Sequence, residues 1–162
     1  AYEMPKRLEF RRVLFRSKLL SLNVALAGKA KGISLYTDAM ALYSDKKSRD
    51  ALPLLEEAAG LGNANAMAHL GAMHMLGQGT SENPKRALPW LEQASQTGHI
   101  GAMGTLGMLL ATGKGGITRD MERAVYLMQQ AAKQGDEQSS RMLSMIDKGE
   151  GMFASSKKSR SR

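Results

Sequence analysis

Arg86-Ala-Leu-Pro-Trp-Leu-Glu-Gln-Ala-Ser-Gln-Thr-Gly98 decides how this chain folds, because the same pattern occurs three times. It aligns without gaps on Asp50-Ala-Leu-Pro-Leu-Leu-Glu-Glu-Ala-Ala-Gly-Leu-Gly62 and on Arg123-Ala-Val-Tyr-Leu-Met-Gln-Gln-Ala-Ala-Lys-Gln-Gly135. The anchoring alanines Ala51, Ala87 and Ala124 stand 36 and 37 residues apart, a period that marks a repeat array. A second unit recurs between them. Asn65-Ala-Met-Ala-His-Leu-Gly71 followed by Gly77-Gln-Gly79 matches Gly101-Ala-Met-Gly-Thr-Leu-Gly107 followed by Gly113-Lys-Gly115, and a further copy, Gln138-Ser-Ser-Arg-Met-Leu-Ser144, begins and stops.

Each period reads as two helices. Helix A carries Ala66, Met67, Leu70 and Met73, then Ala102, Met103, Leu106 and Leu110, at helical spacing. The Gly-x-Gly turns break the chain, Asn83-Pro84 and Thr118-Arg-Asp120 supply caps, and helix B runs on to Gly62, Gly98 or Gly135. Pro53 and Pro89 fall inside helix B, where a missing N–H and a ring clash predict a loose or kinked first turn.

The pattern Lys85-x-Ala87-x-x-Trp90-x-x-x-Ala94-x-x-x-Gly98-x-x-x-Ala102-x-x-x-Leu106-Gly107, with Gly113-x-Gly115, is similar to the Sel-one-like repeat, a relative of the tetratricopeptide repeat. The resemblance covers residues 33–149: two well-formed copies, an N-terminal copy without the Gly-x-Gly loop, and a C-terminal half-copy. His74 and Leu110 depart from the family's usual helix A tyrosine, and Ser144 from its glycine. The resemblance implies an all-α, right-handed solenoid of stacked antiparallel helix pairs, with A helices lining a concave face, and a bacterial source. A single pair cannot bury its own apolar stripe, so neighbours share one core.

The 162 residues carry a formal charge of +8, which invites a nucleic-acid reading. The first 17 residues contribute three of those units, the tail from Ser155 four, and the body one. Glu9-Phe-Arg-Arg-Val-Leu-Phe-Arg-Ser17 resembles the translation of a common sequencing adapter, so residues 1–17 are read as non-native and the natural N-terminus is expected to be missing. Residues 18–32 read as an N-terminal helix, with Leu19, Leu22 and Leu26 at helical spacing, or as the remnant of a secretory signal ending in Ala25-Leu-Ala27. The compartment therefore stays open between cytoplasm and periplasm or exterior. Residues 150–162 read as a disordered basic tail.

Little in the chain supports chemistry. There is no cysteine, and His69 and His74, five apart, do not share a helical face, so neither a metal nor another cofactor is expected. Gly107 to Gly116 lacks the spacing and the Ser or Thr of a phosphate loop. Glu56, Glu57 and Glu92 read as a solvated face rather than converging acids. Cysteine-rich relatives of the family have been linked to β-lactam binding, but this chain has no Cys and no Ser-x-x-Lys to carry that over.

What remains is surface. The solenoid geometry places Ile33, Tyr36, Met40 and Tyr43, then Asn65, Ala68, Ala72 and Met75, then Gly101, Gly104, Met108 and Ala111, and finally Gln138, Arg141, Met145 and Lys148 on the concave face. Four methionines (Met40, Met75, Met108, Met145) run along it, between two tyrosines and two cations. Methionine adapts to varied apolar partners. The expectation is a non-catalytic scaffold that binds a protein or peptide segment there, with an acidic group near Arg141 and Lys148. No small-molecule substrate and no membrane span are expected. Two alternatives stand beside it: hydrolase-type activity in a secreted or periplasmic protein, and weak binding of nucleic acid or an anionic surface through the tail.

Overall fold

The computed structural model describes residues 6–149; the tail reading at residues 150–162 lies outside them. Seven helices follow one another: α1 (Lys6–Ser44), α2 (Ser48–Gly60), α3 (Ala64–Leu76), α4 (Pro84–Gln96), α5 (Ile100–Thr112), α6 (Met121–Lys133) and α7 (Glu137–Lys148), with a short 3₁₀ turn at Lys114–Gly116. No strand occurs among the described residues. Helices α3, α5 and α7 are the A type and α2, α4 and α6 the B type; each is packed on its sequence neighbours, giving an all-α solenoid of repeats. The 3₁₀ turn sits where the period lengthens from 36 to 37 residues.

Caps set the helix boundaries. Asn83 Oδ1 accepts the Arg86 N–H at 3.1 Å and Asp120 Oδ1 the Arg123 N–H at 2.9 Å, as the capping residues imply. Asn63, His99 and Asp136 start α3, α5 and α7 in the same way, His99 through its Nδ1 on the Ala102 N–H at 3.1 Å. A histidine in this role was not evident from sequence.

The expected break at the prolines is absent: α2 and α4 run as continuous helix through Pro53 and Pro89. Both prolines are exposed. The carbonyls they deprive of a partner lie one turn back on the same face, at Arg49 and Lys85, both exposed residues that water can reach.

The core is built in columns. Ala51, Ala87 and Ala124 are fully buried, as are Leu55, Leu91 and Met128 one turn later and Ala58, Ala94 and Ala131 after them. Gly71 and Gly107 face these columns from the A helices. A Cβ on Gly71 would lie 2.7 Å from Leu91 Cγ, and one on Gly107 would lie 2.8 Å from Met128 Cγ and 3.0 Å from the Ala124 carbonyl. The Gly-x-Gly turns abut the preceding repeat: Gly79 at φ +73° has the Ser48 carbonyl carbon 2.6 Å from any Cβ, and Gly115 at φ +69° has Pro84 Cγ at the same distance. Ion pairs such as Lys31–Glu57 at 2.6 Å and Arg123–Glu92 at 2.9 Å trim the exterior and add little.

Helix α1 extends the array by a different rule. Its C-terminal half packs on α2, with Ala39 fully buried, whereas Phe10, Phe15, Leu20 and Val24 are all about two-thirds exposed. Residues 6–32, read as an adapter-derived segment followed by a helix or a signal remnant, form one uninterrupted helix with the first repeat.

His74 is the exception in the core. It is 4 % exposed and its Nδ1 has no hydrogen-bond partner, while Leu110, the same position one repeat later, is equally buried. Burial, followed by the neighbouring Arg86 cation, holds the imidazole below its ordinary pKa against a weaker opposing pull from Glu56.

Two outcomes follow from this packing. Gly107→Ala should cost about 1–3 kcal/mol in urea unfolding, because its neighbour is a backbone carbonyl that cannot swing aside. Gly60→Ala, with nothing within 4 Å of the new methyl, should be neutral or slightly stabilising; equal effects at both sites would remove the close-approach argument. Protonating His74 is harder in the folded than in the unfolded chain. Its contribution is therefore intact above the ordinary histidine pKa of 6.5 and declines as pH falls through it. His74→Leu should raise Tm at pH 7 by removing an orphaned polar atom, worth about 1–3 kcal/mol, and should flatten the loss of Tm between about pH 7 and 5.

Candidate functional site

Successive A-type helices meet along one side of the stack. Between α1 and α3 the His69 ring stands edge-on to Tyr36 at 5.6 Å and to Tyr43 at 6.3 Å, and the Tyr43 hydroxyl donates to Gln78 Oε1 at 2.6 Å. Asn63 Nδ2 donates to the Gly32 carbonyl at 3.0 Å, tying the start of α3 to α1. Between α5 and α7 the approach is closer still. A Cβ on Gly104 would fall 2.7 Å from Ser139 Oγ and 2.9 Å from Asp136 Oδ2, and those two side chains are hydrogen-bonded to each other.

A small cavity of about 40 Å³ lies at that junction, lined by Gly101, Gly104, Thr105, Met108, Gln138 and Met142, with Asp136 and Ser139. Four of these, Gly101, Gly104, Met108 and Gln138, are residues the repeat register assigns to one face. Tyr36, Met40 and Tyr43 are half-buried on α1, Asn65 is exposed at the start of α3, and Met145 is 37 % exposed on α7.

The register needs one correction. Met75 is only 5 % exposed and belongs to the core, so the methionine row is interrupted at α3. Its column partner Ala111 is 1 % exposed and Ala68, in the column before, 8 %. The open columns are Asn65, Gly101 and Gln138; His69, Thr105 and Met142; Ala72, Met108 and Met145; and Leu76 with Thr112. The face is thus turned by about one residue from the expected one. Side chains on a helix lean toward its N-terminus, so a surface position is covered by a residue slightly later in sequence than Cα geometry suggests. His69, Thr105 and Met142 stand 36 and 37 residues apart, and that spacing was the available signal for them.

The charges also differ from expectation. Arg141 is exposed but is held by Glu137 at 3.0 Å, one helical turn away. Lys148 is exposed at the end of α7. The open columns of α3, α5 and α7 carry no charged side chain: burial, followed by nearby His99, lowers the pKa of His69, and on α1 burial raises that of Tyr36. The surface therefore offers aromatic edges, thioethers and short polar groups. Among the described residues no three of His, Asp and Glu come together, and no helix is long and apolar enough to cross a membrane.

The comparisons agree with this architecture. The Sel1 repeat family matches residues 64–99 and 102–136. No curated protein matches the chain. Among solved structures it is similar to a Sel1 repeat protein from Oxalobacter formigenes, at 22 % identity and a TM-score of 0.63 over 71 % of this chain and 48 % of that one. A protective antigen of uropathogenic Escherichia coli with an SLR fold gives 23 % identity and 0.69 over 75 % of this chain and 27 % of the antigen. The cysteine-rich protein B of Helicobacter pylori gives 20 % and 0.59, over 78 % of this chain and 96 % of that protein. This chain spans about half the length of the first and a quarter of the second. Matching repeats and a shared helical stack agree: the chain carries Sel1 repeats over residues 64–136, within an all-α solenoid.

Proposed function

We propose that the chain is a non-catalytic scaffold that captures an apolar segment of a partner protein on the face formed by α1, α3, α5 and α7. The observation that supports this most is the content of the open face: Tyr36, Met40 and Tyr43 on α1, Met108 on α5 and Met142 with Met145 on α7, with no acidic residue in the open columns. Such a surface loses little on desolvation and can follow partners of varied shape. Arg141 is paired with Glu137 across an exposed helical turn, so a partner's acidic group would compete with Glu137 for it, beside Lys148 at the end of α7.

Peptides selected by phage display on the intact chain should be apolar or aromatic. Met108→Glu should weaken them by about tenfold or more, since a carboxylate would be buried without a partner. Tyr36→Ala should weaken the same peptides, whereas Tyr126→Ala, a 59 % exposed residue on α6, should not. Unchanged affinity in both groove variants, measured by fluorescence anisotropy, would overturn the reading.

A further inference from the structure

Every residue of α1 from Phe10 to Ala27 is exposed, and Gly28 is the first that is not. The stack begins there. A Cβ on Gly28 would meet Leu61 Cδ2 at 3.9 Å, Lys31 pairs with Glu57 at 2.6 Å, and Gly32 is buried with its carbonyl accepting from Asn63. Ahead of Gly28 the side-chain hydrogen bonds stay inside the helix, Ser17 on the Leu14 carbonyl and Ser21 on that of Ser17.

The exposed stretch is apolar. Leu19, Leu20, Leu22, Val24 and Leu26 are 48–67 % exposed. At about 100° per residue they are spread around the helix rather than gathered on one face, so no single neighbouring helix could cover them. Lys18 and Lys29 bound a run of ten uncharged residues. That is about half of the roughly 20 residues a membrane span needs, and it falls in the range of the apolar segment of a secretory leader. Cations precede it (Arg11, Arg12, Arg16 and Lys18), and it closes on Ala25-Leu-Ala27, with small residues at the third and first positions before Gly28. The residue pattern and the packing boundary thus fall on the same peptide bond.

We propose that the Ala27–Gly28 bond is a processing site, cut by a membrane-bound signal peptidase that accepts small side chains at those two positions, so that the repeat stack is released across the membrane beginning at Gly28. In the cut, water adds across the bond: its hydroxyl completes a carboxyl group on Ala27, the C–N bond breaks, and the Gly28 nitrogen takes the proton as the new amino terminus. The bond must leave the helix to enter a peptidase. Glycine at position 28 weakens the helix by about 1 kcal/mol relative to alanine, and a segment with no tertiary contact opens at little further cost. The groove stays with the product, because Ile33, Tyr36, Met40 and Tyr43 all lie beyond the cut. The site therefore stands apart from the groove reading, and it would let the groove meet its partners outside the cytoplasm.

The test incubates the intact 162-residue chain, in detergent micelles, with a purified bacterial signal peptidase, and follows it by mass spectrometry and N-terminal sequencing. The product should begin Gly28-Lys-Ala-Lys-Gly32. Ala27→Tyr and Ala25→Tyr should each slow the cut by about tenfold or more, because a pocket shaped for a methyl group cannot take the ring. Ala30→Tyr, equally exposed on the same helix but beyond the bond, should leave the rate as it is. The purified product should melt with the intact chain, since the removed residues pack on nothing. An uncut chain, a cut at another bond, or wild-type cleavage of Ala27→Tyr would overturn the proposal. So would a product that melts well below the intact chain, which would return residues 18–27 to the folded array.

Discussion

The structure depends on the contact between a glycine of one helix and the second turn of the next. At Gly71 and Gly107 the A helix offers no side chain, and the B helix fills the space with Leu91 or Met128 and brings the carbonyl of Ala87 or Ala124 to 3.4 or 3.0 Å from where a Cβ would stand. Only small residues permit backbones so close, and the closeness puts Ala87, Ala94, Ala124 and Ala131 at full burial. The repeat's other constant residues serve this one. The Gly-x-Gly turn takes the chain out of helix A at positive φ and lays it on the start of the preceding B helix, so that each pair is held against its neighbour as well as within itself. Stability of this kind is local, and it sums over neighbouring pairs rather than gathering in one centre.

Close packing on one side dictates what the other side can be. On α3 and α5 the A helices are pulled toward the B layer, which buries Ala68, Gly104, Met75 and Ala111 and leaves the columns of Asn65, His69 and Ala72 turned outward. The same approach brings A helices near one another, close enough for Gly104 to sit on the Asp136 cap of α7 and for His69 to stand between two tyrosines. Each A helix thus begins on a cap residue, Asn63, His99 or Asp136, that also faces the helix before it. Asn63 does so by an explicit hydrogen bond to Gly32.

The fold was legible because its determinants are periodic. Alanine, leucine and glycine columns recur at 36 and 37 residues, and a pattern that repeats in register carries more weight than any single window. The groove was legible only to within one residue of rotation. Periodicity fixes which residues share a column, but which columns face out depends on side-chain lean and on how far the glycines let the layers approach, both three-dimensional quantities. Met75 shows the difference: standing next to the column of Met108 and Met145, it reads as part of one methionine row, yet its side chain and that of its column partner Ala111 are core. The prolines were misjudged for a related reason. Their cost depends on whether the freed carbonyls meet water, and the exposed face of the B layer is visible only once the stack is built.

Separating the columns separates the demands on the sequence. Residues that hold the stack are small or fill one defined space, so a change there is felt by the whole pair. On the open columns the three existing repeats already differ: His69, Thr105 and Met142 occupy one column, and Asn65, Gly101 and Gln138 another. An enzyme site of converging groups would need several such positions fixed together across helices. A binding face does not, because its specificity is the sum of contacts along a row, each replaceable without cost to the fold. Columns on the outward face of this chain vary in size and polarity from repeat to repeat, whereas Ala51, Ala87 and Ala124 in its core do not, as close backbone approach demands.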